Sequence, residues 1–326
     1  MLTSIRLPVP KSARKFASPI RIAIFALALA SSANAVQVTP GDIITTDNRA
    51  LFETVPPISE LGLVKDGNFI LIQDYPPENF DDAYISPEGQ IFVNESKLTV
   101  YDSSFAVVAT PPHLPGGLGE MVWDRSGHIF VGNELGNTIR KLDLNYHLLD
   151  TITIAVPQMY FDLAADQCTV YYTDGWVRIH RHDVCTNTAL TDVSSTVTDT
   201  FNQIRIAADG SIVVAGHQAV YHLSTDGTLI NQFDPVPFGA YDQGAIALAP
   251  GGNQVWIVGR NGLRLVDLAT GNLVQSVDPQ VKGDIRSIAV MGDAHAAAAP
   301  VPIPTLTGPL LLLLAVSVVA VGLVTP

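Results

Sequence analysis

Acidic and amide side chains recur along the sequence at intervals of roughly 40 residues, which is the spacing of a structural repeat. They are Glu120, Asp162, Asn202, Asp242 and Asp284, and His217 lies between two of them. Carboxylate and amide oxygens are the ligands that Ca²⁺ and similar divalent cations prefer. If the fold gathers these residues, they could hold a divalent cation that stabilises loops or polarises a substrate carbonyl. Asp and Asn are also ordinary turn residues, so a solvated acidic rim is the simpler alternative.

Two histidines, His180 and His182, are separated by a single residue. On an extended strand, residues two apart share a face, and such a pair can chelate a metal ion. Arg178 belongs to the same face, and Asp183 is the nearest acid in the sequence. Because a strand with this many basic groups is expected to face solvent, we predict that both histidines are exposed.

The elements that must position these residues are short β-strands. Each of five recurring turns precedes a β-branched or aromatic segment: Pro87-Glu88-Gly89, Arg125-Ser126-Gly127, Asp166-Gln167-Cys168, Ala208-Asp209-Gly210 and Pro250-Gly251-Gly252. Further strands follow in each period, and no helical periodicity interrupts them. Four strands in a period of about 40 residues are typical of a β-propeller blade. The sequence therefore predicts an all-β propeller over residues 36–293.

The number of blades follows from how the ring closes. Five complete repeats are followed by one strand without partners, at residues 285–290. Three N-terminal segments, at residues 42–45, 50–54 and 69–72, lack a first strand. One C-terminal and three N-terminal strands together complete another blade, and this closure leaves no free sheet edge. We therefore predict six four-stranded antiparallel blades.

The connections of a four-stranded meander alternate between its two ends. Cys168 and Cys185 fall in the first and last turns of one blade, at the same end, and we predict a disulfide between them. The other end contains the connections that enter the innermost strands and surround the channel, where propellers normally bind ligands. This predicted ligand face contains Glu120, Asp162, Asn202, His217, Asp242 and Asp284.

Both ends of the chain are predicted to be targeting signals. Residues 1–35 combine a basic start, an apolar run and the triplet Ala33-Asn34-Ala35, which is typical of a secretory signal peptide cleaved before Val36. Residues 294–302 form an Ala/Pro-rich spacer, and residues 303–326 are mostly apolar. The segment Ile303-Pro304-Thr305-Leu306, followed by an apolar run, resembles the bacterial IPTL-CTERM sorting signal. This resemblance implies an exported protein of the bacterial envelope, surface or medium that contacts the membrane transiently through its tail.

One repeat resembles a known propeller family in its motif. The residues that match NHL-type repeats are Gly119, Val122, Asp124, Gly127, Ile129, Phe130, Val131, Asn133, Asn137, Ile139, Arg140 and Leu142. Propellers of this kind include extracellular binding proteins, a gluconolactonase branch and a lyase branch, so the resemblance implies a fold and leaves the activity open. A lactonase-like site would place a divalent cation among Glu120, Asp162, Asn202 and Asp242. A lyase would need a general base, for which His217 is the candidate.

The composition limits the partners. Among 326 residues, 31 are acidic and 18 are Lys or Arg, so the formal net charge is −13. Such a surface repels phosphate backbones, which excludes nucleic-acid binding. The sequence contains no nucleophile elbow, zinc-binding His-Glu-x-x-His motif or phosphate-binding glycine loop. We therefore expect a non-enzymatic exported module that binds a protein, peptide or glycan, with a metal-dependent lactonase-like hydrolase and a lyase as alternatives.

Overall fold

The computed structural model describes a ring of β-sheets. It covers residues 37–48, 59–75, 82–94, 98–111, 118–133, 136–157, 160–233, 245–259, 262–278 and 284–293. In these ranges the chain forms 24 strands, arranged in six four-stranded antiparallel sheets. The six-bladed all-β propeller is thus confirmed. The predicted signal peptide and apolar tail lie outside these ranges, and within them no helix is long and apolar enough to cross a membrane.

Each blade is a meander whose strands follow one another across the sheet. Blade 1 joins β24 (Asp284–Val290) to β1 (Ile43–Asn48), β2 (Ser59–Lys65) and β3 (Asn68–Tyr75). Blade 2 consists of β4 (Asp82–Ile85), β5 (Ile91–Asn94), β6 (Leu98–Tyr101) and β7 (Val107–Ala109). Blade 3 consists of β8 (Leu118–Trp123), β9 (Ile129–Asn133), β10 (Thr138–Leu142) and β11 (Leu148–Thr153).

The remaining blades repeat the same order. Blade 4 consists of β12 (Phe161–Leu163), β13 (Thr169–Thr173), β14 (Ile179–Asp183) and β15 (Thr188–Val193). Blade 5 consists of β16 (Phe201–Ile206), β17 (Ile212–Gly216), β18 (Val220–Leu223) and β19 (Leu229–Phe233). Blade 6 consists of β20 (Ile246–Leu248), β21 (Gln254–Gly259), β22 (Gly262–Asp267) and β23 (Leu273–Val277).

The turn between the first and second strands recurs with one geometry. Gly89, Gly127 and Gly210 have φ angles of 84°, 82° and 85°. The N–H of each donates to the carbonyl oxygen three residues earlier. Glycine adopts this left-handed conformation without a steric cost. In blade 4 the same position is occupied by Gln167, with φ of 63°, so the turn sequences that defined the repeat reflect one repeated backbone structure.

The ring closes as predicted. Strand β24 pairs with β1, and Ile43 lies opposite Val290. Just beyond the strand, the N–H of Met291 donates to the carbonyl oxygen of Asp42 at 2.9 Å. The C-terminal strand is therefore the innermost strand of the N-terminal blade.

The third strand of blade 1 differs from the prediction. The sequence pattern predicts it at residues 50–54, which is wrong: the third strand is β2, and residues 50–54 lie outside the described ranges. Asp66 and Gly67 both have positive φ, 52° and 77°, and form the two-residue turn of a tight hairpin. This turn places Lys65 opposite Asn68. Since so short a turn fixes the register, the strand that precedes β3 must end at Lys65.

The hydrophobic core is divided among the interfaces between blades. Ile43 and Val290 of blade 1 belong to one buried cluster with Trp256 of blade 6. Phe92 of blade 2 packs on Trp123 of blade 3 with a ring-centroid distance of 5.1 Å. Similar clusters join the other pairs of neighbouring blades. Each sheet is therefore covered on both faces, including faces that carry polar side chains.

The two histidines of β14 show this effect, and the prediction that they face solvent is wrong. His180 is 6% exposed and His182 is 3% exposed. Nδ1 of His180 lies 2.9 Å from Oδ1 of Asp192, and Nε2 of His182 lies 3.0 Å from Oδ1 of Asn187. These hydrogen bonds offset much of the cost of burying the rings. Nδ1 of His182 is buried without a hydrogen-bond partner among the described residues. Residue types along a third strand do not reveal that neighbouring blades cover it.

The predicted disulfide is confirmed. Cys168 and Cys185 are bonded, with their Cα atoms 5.2 Å apart. The bond joins the β12–β13 turn to the β14–β15 turn of blade 4. The bond therefore connects the first and last turns of blade 4, which lie on the same face of the ring.

Candidate functional site

A buried ion pair crosses the central channel. Nη2 of Arg205, on β16, donates to Oε1 of Glu120, on β8, at 3.1 Å, and the side chains are 5% and 1% exposed. Nη1 of Arg205 donates to the carbonyl oxygen of Ile204 at 2.8 Å. Blade 4 lies between the two strands in the ring, so this pair joins blades that are not neighbours.

Three carboxylates influence Arg205. Burial by itself lowers the pKa of the Arg205 guanidinium, but Glu120, Asp162 and Asp293 raise it, and the resulting pKa is above the ordinary value. Arg205 therefore remains charged beside three acidic residues. Nε of Arg205 is buried and has no hydrogen-bond partner among the described residues.

Asp162 connects two innermost strands. Its Oδ1 accepts a hydrogen bond from the N–H of Leu163 at 2.7 Å, and its Oδ2 accepts one from the N–H of Ile206 in the next blade at 2.7 Å. The innermost strand of a blade has an unpaired edge whose polar groups need partners. Other blades use the same device: Ser287 bonds Ala83, Tyr84 bonds Gly119, and Gln203 bonds Ile246. In this structure Asp162 therefore bridges blades.

A cavity of about 500 Å³ lies at one mouth of the channel. We call it the central cavity. Turns between first and second strands surround it, together with the end of β24, so all six blades contribute: Ile85, Ser86, Pro87, Glu88, Trp123, Asp124, Arg125, Gly127, Leu163, Gln167, Ala208, Gly251, Val290, Gly292 and Asp293. Its volume falls within the range of about 300–1,000 Å³ that small-molecule sites occupy.

A smaller cavity of about 20 Å³ lies deeper in the channel. We call it the inner cavity. Its lining includes residues of the central cavity and both members of the ion pair: Ala83, Tyr84, Ile85, Glu120, Met121, Trp123, Arg205, Ile288, Ala289, Val290 and Asp293. The inner cavity thus connects the wall of the central cavity with the buried ion pair.

One side of the rim is held by Gln167. Its Oε1 accepts a hydrogen bond from the N–H of Arg125 at 2.8 Å, which joins the turns of blades 3 and 4. The carbonyl oxygen of Gln167 lies 3.8 Å from Sγ of Cys185, and the next residue, Cys168, forms the disulfide with it. The disulfide therefore supports a turn that lines the central cavity.

The blade 3 turn is held by Asp124, which is 9% exposed. Its Oδ1 accepts hydrogen bonds from the N–H groups of Ser126 and His128 at 2.8 and 2.9 Å. Its Oδ2 lies 2.7 Å from Nδ1 of His128 and 3.7 Å from Nζ of Lys141. This network keeps an acidic side chain fixed in the cavity wall.

The structure brings two of the predicted ligand-face residues together: Glu120 and Asp162 both act on Arg205. Asn202 lies on β16, where its carbonyl oxygen accepts a hydrogen bond from the hydroxyl of Thr173 at 2.9 Å. It contributes to the contact between blades 4 and 5.

The other three predicted ligand-face residues are not placed with Glu120 and Asp162. His217 is exposed in the β17–β18 turn, and its N–H donates to the carbonyl oxygen of Thr200 at 3.0 Å. Asp284 begins β24 opposite Asn48, and Asp242 lies outside the described residues. A ligand site made by these residues stays a prediction.

One group in the described part of the chain has three potential metal ligands close together: Cys168, Asp183 and Cys185, with their ligand atoms within 4.8 Å of one another. Because both sulfur atoms belong to the disulfide, neither is available as a thiolate ligand. The acids around the channel surround an arginine instead of converging on one point.

Arg205 and the central cavity are features that the sequence reasoning missed. Arg205 is the one charged residue in the apolar segment 204–207 of an innermost strand. A charge in a buried strand needs a partner, so this segment does carry a signal. The central cavity lies on the face with the disulfide, opposite the predicted ligand face, and no periodicity in the sequence distinguishes the two mouths.

Comparisons with known proteins support the fold. No protein-family model matches the chain, and no curated protein matches it. A protein of unknown function from Bacteroides caccae is similar in structure, with a TM-score of 0.55 and 15% identity over 77% of this chain and 98% of its own. Streptogramin B lyase is similar with a TM-score of 0.51 and 14% identity over 78% of this chain and 89% of its own. At these identities the similarity shows a shared propeller fold, and a fold alone does not define a function.

Proposed function

We propose that this protein is an exported propeller of the bacterial envelope that binds a protein, peptide or glycan without transforming it. The observation that carries the proposal is the central cavity of about 500 Å³, to which all six blades contribute. A site of this size receives a small group, such as a side chain, a chain end or a terminal sugar of the partner.

The surroundings of the cavity suit binding. Its rim is fixed by the Gln167–Arg125 hydrogen bond and by the Asp124 network. Side chains that are already held in place lose little entropy when a ligand binds, which increases affinity. The propeller therefore offers a preformed site instead of one that must fold around its partner.

Export is supported by several features. Residues 1–35 have the pattern of a secretory signal peptide, and the tail resembles a bacterial sorting signal. The Cys168–Cys185 disulfide is suited to an oxidising compartment. Fractionation of the native organism should locate the mature chain, beginning near Val36, in the envelope or the medium.

A cavity-blocking variant tests the proposal. Ala208 lines the central cavity and is exposed, so Ala208→Trp should fill the cavity without disturbing the core. Ala189→Trp places the same side chain on the exposed outer strand of blade 4 and serves as the matched control. Purified protein carrying each change is used to capture material from solubilised envelopes of the native organism. We expect Ala208→Trp to lose the partner and Ala189→Trp to retain it.

Retention by both variants would contradict binding at the central cavity. The enzymatic alternatives are tested with the same proteins by measuring hydrolysis of aldonolactones and cleavage of streptogramin B. Lactone turnover that is abolished by a chelator and by Glu120→Gln would replace the binding proposal with the hydrolase. Cleavage of streptogramin B that requires His217 would replace it with the lyase.

A further inference from the structure

We propose that the central cavity accepts an organic cation: the ammonium or guanidinium group of a Lys or Arg side chain in a peptide segment of the partner. This inference rests on the proposed function, since it names the group that occupies the same cavity. It follows from the charge of the walls, from their apolar component and from an unsatisfied donor beneath them.

The walls carry an excess of negative charge. Three acids and one basic residue line the central cavity: Glu88, Asp124, Asp293 and Arg125. Lys141, which is outside the lining, lies 3.7 Å from Asp124, so the excess negative charge comes from Glu88 and Asp293. Asp293 also acts on Arg205 beneath the cavity, together with Glu120 and Asp162, so the buried cation of the deeper layer is matched by acidic residues. In a concave site with low-dielectric walls, this arrangement concentrates a negative potential and attracts cations.

The rest of the lining favours an organic cation over a metal ion. Ca²⁺ needs about six to eight oxygen ligands at roughly 2.3–2.6 Å. In the described part of the chain, the disulfide group of blade 4 alone has three ligand atoms within 4.8 Å of one another. The lining of the central cavity also contains the apolar side chains of Ile85, Trp123, Leu163 and Val290. A dispersed negative field with an apolar and aromatic wall suits an alkyl stem that ends in a charged group.

The inner cavity adds a separate indication of a polar occupant. Nε of Arg205 is buried without a hydrogen-bond partner in the described residues, and Arg205 lines the inner cavity of about 20 Å³. A space of about 10–15 Å³ is enough for one water molecule. Such a water would accept the Nε–H bond and donate to an oxygen of a ligand in the central cavity. A peptide supplies both groups, because its backbone carbonyl can accept while its basic side chain meets the acids.

Three peptides that differ in one side chain test the inference. They are the acetylated and amidated tripeptides Gly-Lys-Gly, Gly-norleucine-Gly and Gly-Glu-Gly. Binding to the purified protein is measured by titration calorimetry or ligand-observed NMR. We expect the lysine peptide to bind at least about tenfold more tightly than the norleucine peptide, with the glutamate peptide weakest. The preference should decrease as the salt concentration rises from about 0.05 to 0.5 M, because the attraction is screened.

Matched variants locate the effect. Glu88→Gln and Asp293→Asn each remove one negative charge from the cavity, and each should reduce the lysine preference several-fold. Asp66→Asn removes one charge from an exposed hairpin turn of blade 1 and should leave the preference unchanged. Ala208→Trp should abolish the binding of all three peptides.

The outcomes separate this inference from the proposed function. Equal or tighter binding of the norleucine or glutamate peptide, lost in Ala208→Trp, would overturn the cation preference and leave the cavity as the binding site. Binding of none of the peptides would overturn the inference. The capture experiment with Ala208→Trp and Ala189→Trp tests separately whether the partner binds at the central cavity. Displacement of the lysine peptide by Ca²⁺, with calcium bound in one-to-one ratio, would assign the cavity to a metal ion and overturn the inference too.

Discussion

Removing Arg205 should destabilise the ring more than removing its partner Glu120. Arg205 makes a 3.1 Å ion pair inside the channel, and both side chains are almost fully buried. The variant Arg205→Met leaves the buried Glu120 without its cationic partner and removes the cation on which Asp162 also acts. Breaking a buried pair by removing one partner costs about 3–5 kcal/mol. We expect a decrease of this size in the free energy of unfolding.

Replacing the acidic partner should reduce the free energy of unfolding by a smaller amount. In Glu120→Gln, Arg205 still has the carboxylates of Asp162 and Asp293 within electrostatic reach, and the amide oxygen can still accept a hydrogen bond. We expect a loss of about 1–3 kcal/mol. The double variant should lose less than the sum of the single variants, because the second change removes a charge that the first left unpaired.

Guanidinium chloride unfolding, followed by far-ultraviolet circular dichroism, measures these differences at constant m-value. Leu149→Ala, on the exposed outer strand of blade 3, is a control that should change stability little. A cost below about 1 kcal/mol for Arg205→Met, or a larger cost for Glu120→Gln than for Arg205→Met, would refute this prediction.

Three further perturbations address other features. The disulfide closes a sequence separation of 17 residues, so Cys168→Ser should reduce the unfolding free energy by about 3 kcal/mol; two alkylated thiols in the unreduced native protein would contradict the bond. Deletion of residues 284–293 removes β24 and should abolish cooperative unfolding, whereas a normal melting transition would disprove the closure. The pKa of Asp102 is lowered chiefly by a hydrogen bond from the side chain of Ser104, and the pKa of Asp226 chiefly by one from the side chain of Ser224. The stabilising effect of these hydrogen bonds is present above about pH 4 and is lost as the pH falls through the lowered values; denaturation curves that do not change between about pH 7 and 3 would contradict this.

The ring itself could be predicted because its signals are local. Turn residues such as Gly127 and Gly210 mark one repeated backbone conformation. One C-terminal strand without partners and an N-terminal blade without its first strand together imply closure. The disulfide follows from the alternation of turns between the two ends of a blade. These inferences need only the order of strands along the chain.

The prediction of β2 failed where a local signal was overlooked. Asp66 and Gly67 lie between two apolar segments, which is a strong hairpin pattern, and this turn fixes the end of the strand. The prediction that the histidines of β14 face solvent failed for a different reason. Whether His180 is exposed depends on the neighbouring blade and on Asp192, which lies on the next strand.

The central cavity depends on distances across the ring. Glu120 and Arg205 are far apart in sequence and belong to blades that are not neighbours, so a repeat pattern cannot pair them. Likewise, Asp162 is an acid at the expected position, but its orientation toward the N–H of Ile206 determines what it does. The spacing of residues along the sequence does not indicate in which direction a side chain points within a blade.

Photo-crosslinking in the native organism tests most directly whether the partner binds at the central cavity. The photoreactive residue p-benzoylphenylalanine is introduced at position 126, an exposed residue between Arg125 and Gly127 of the cavity lining. In a second protein it is introduced at position 217, on the opposite face where the sequence predicts a ligand site. We expect a covalent adduct from position 126 and none from position 217. An adduct from position 217 alone would contradict binding at the central cavity.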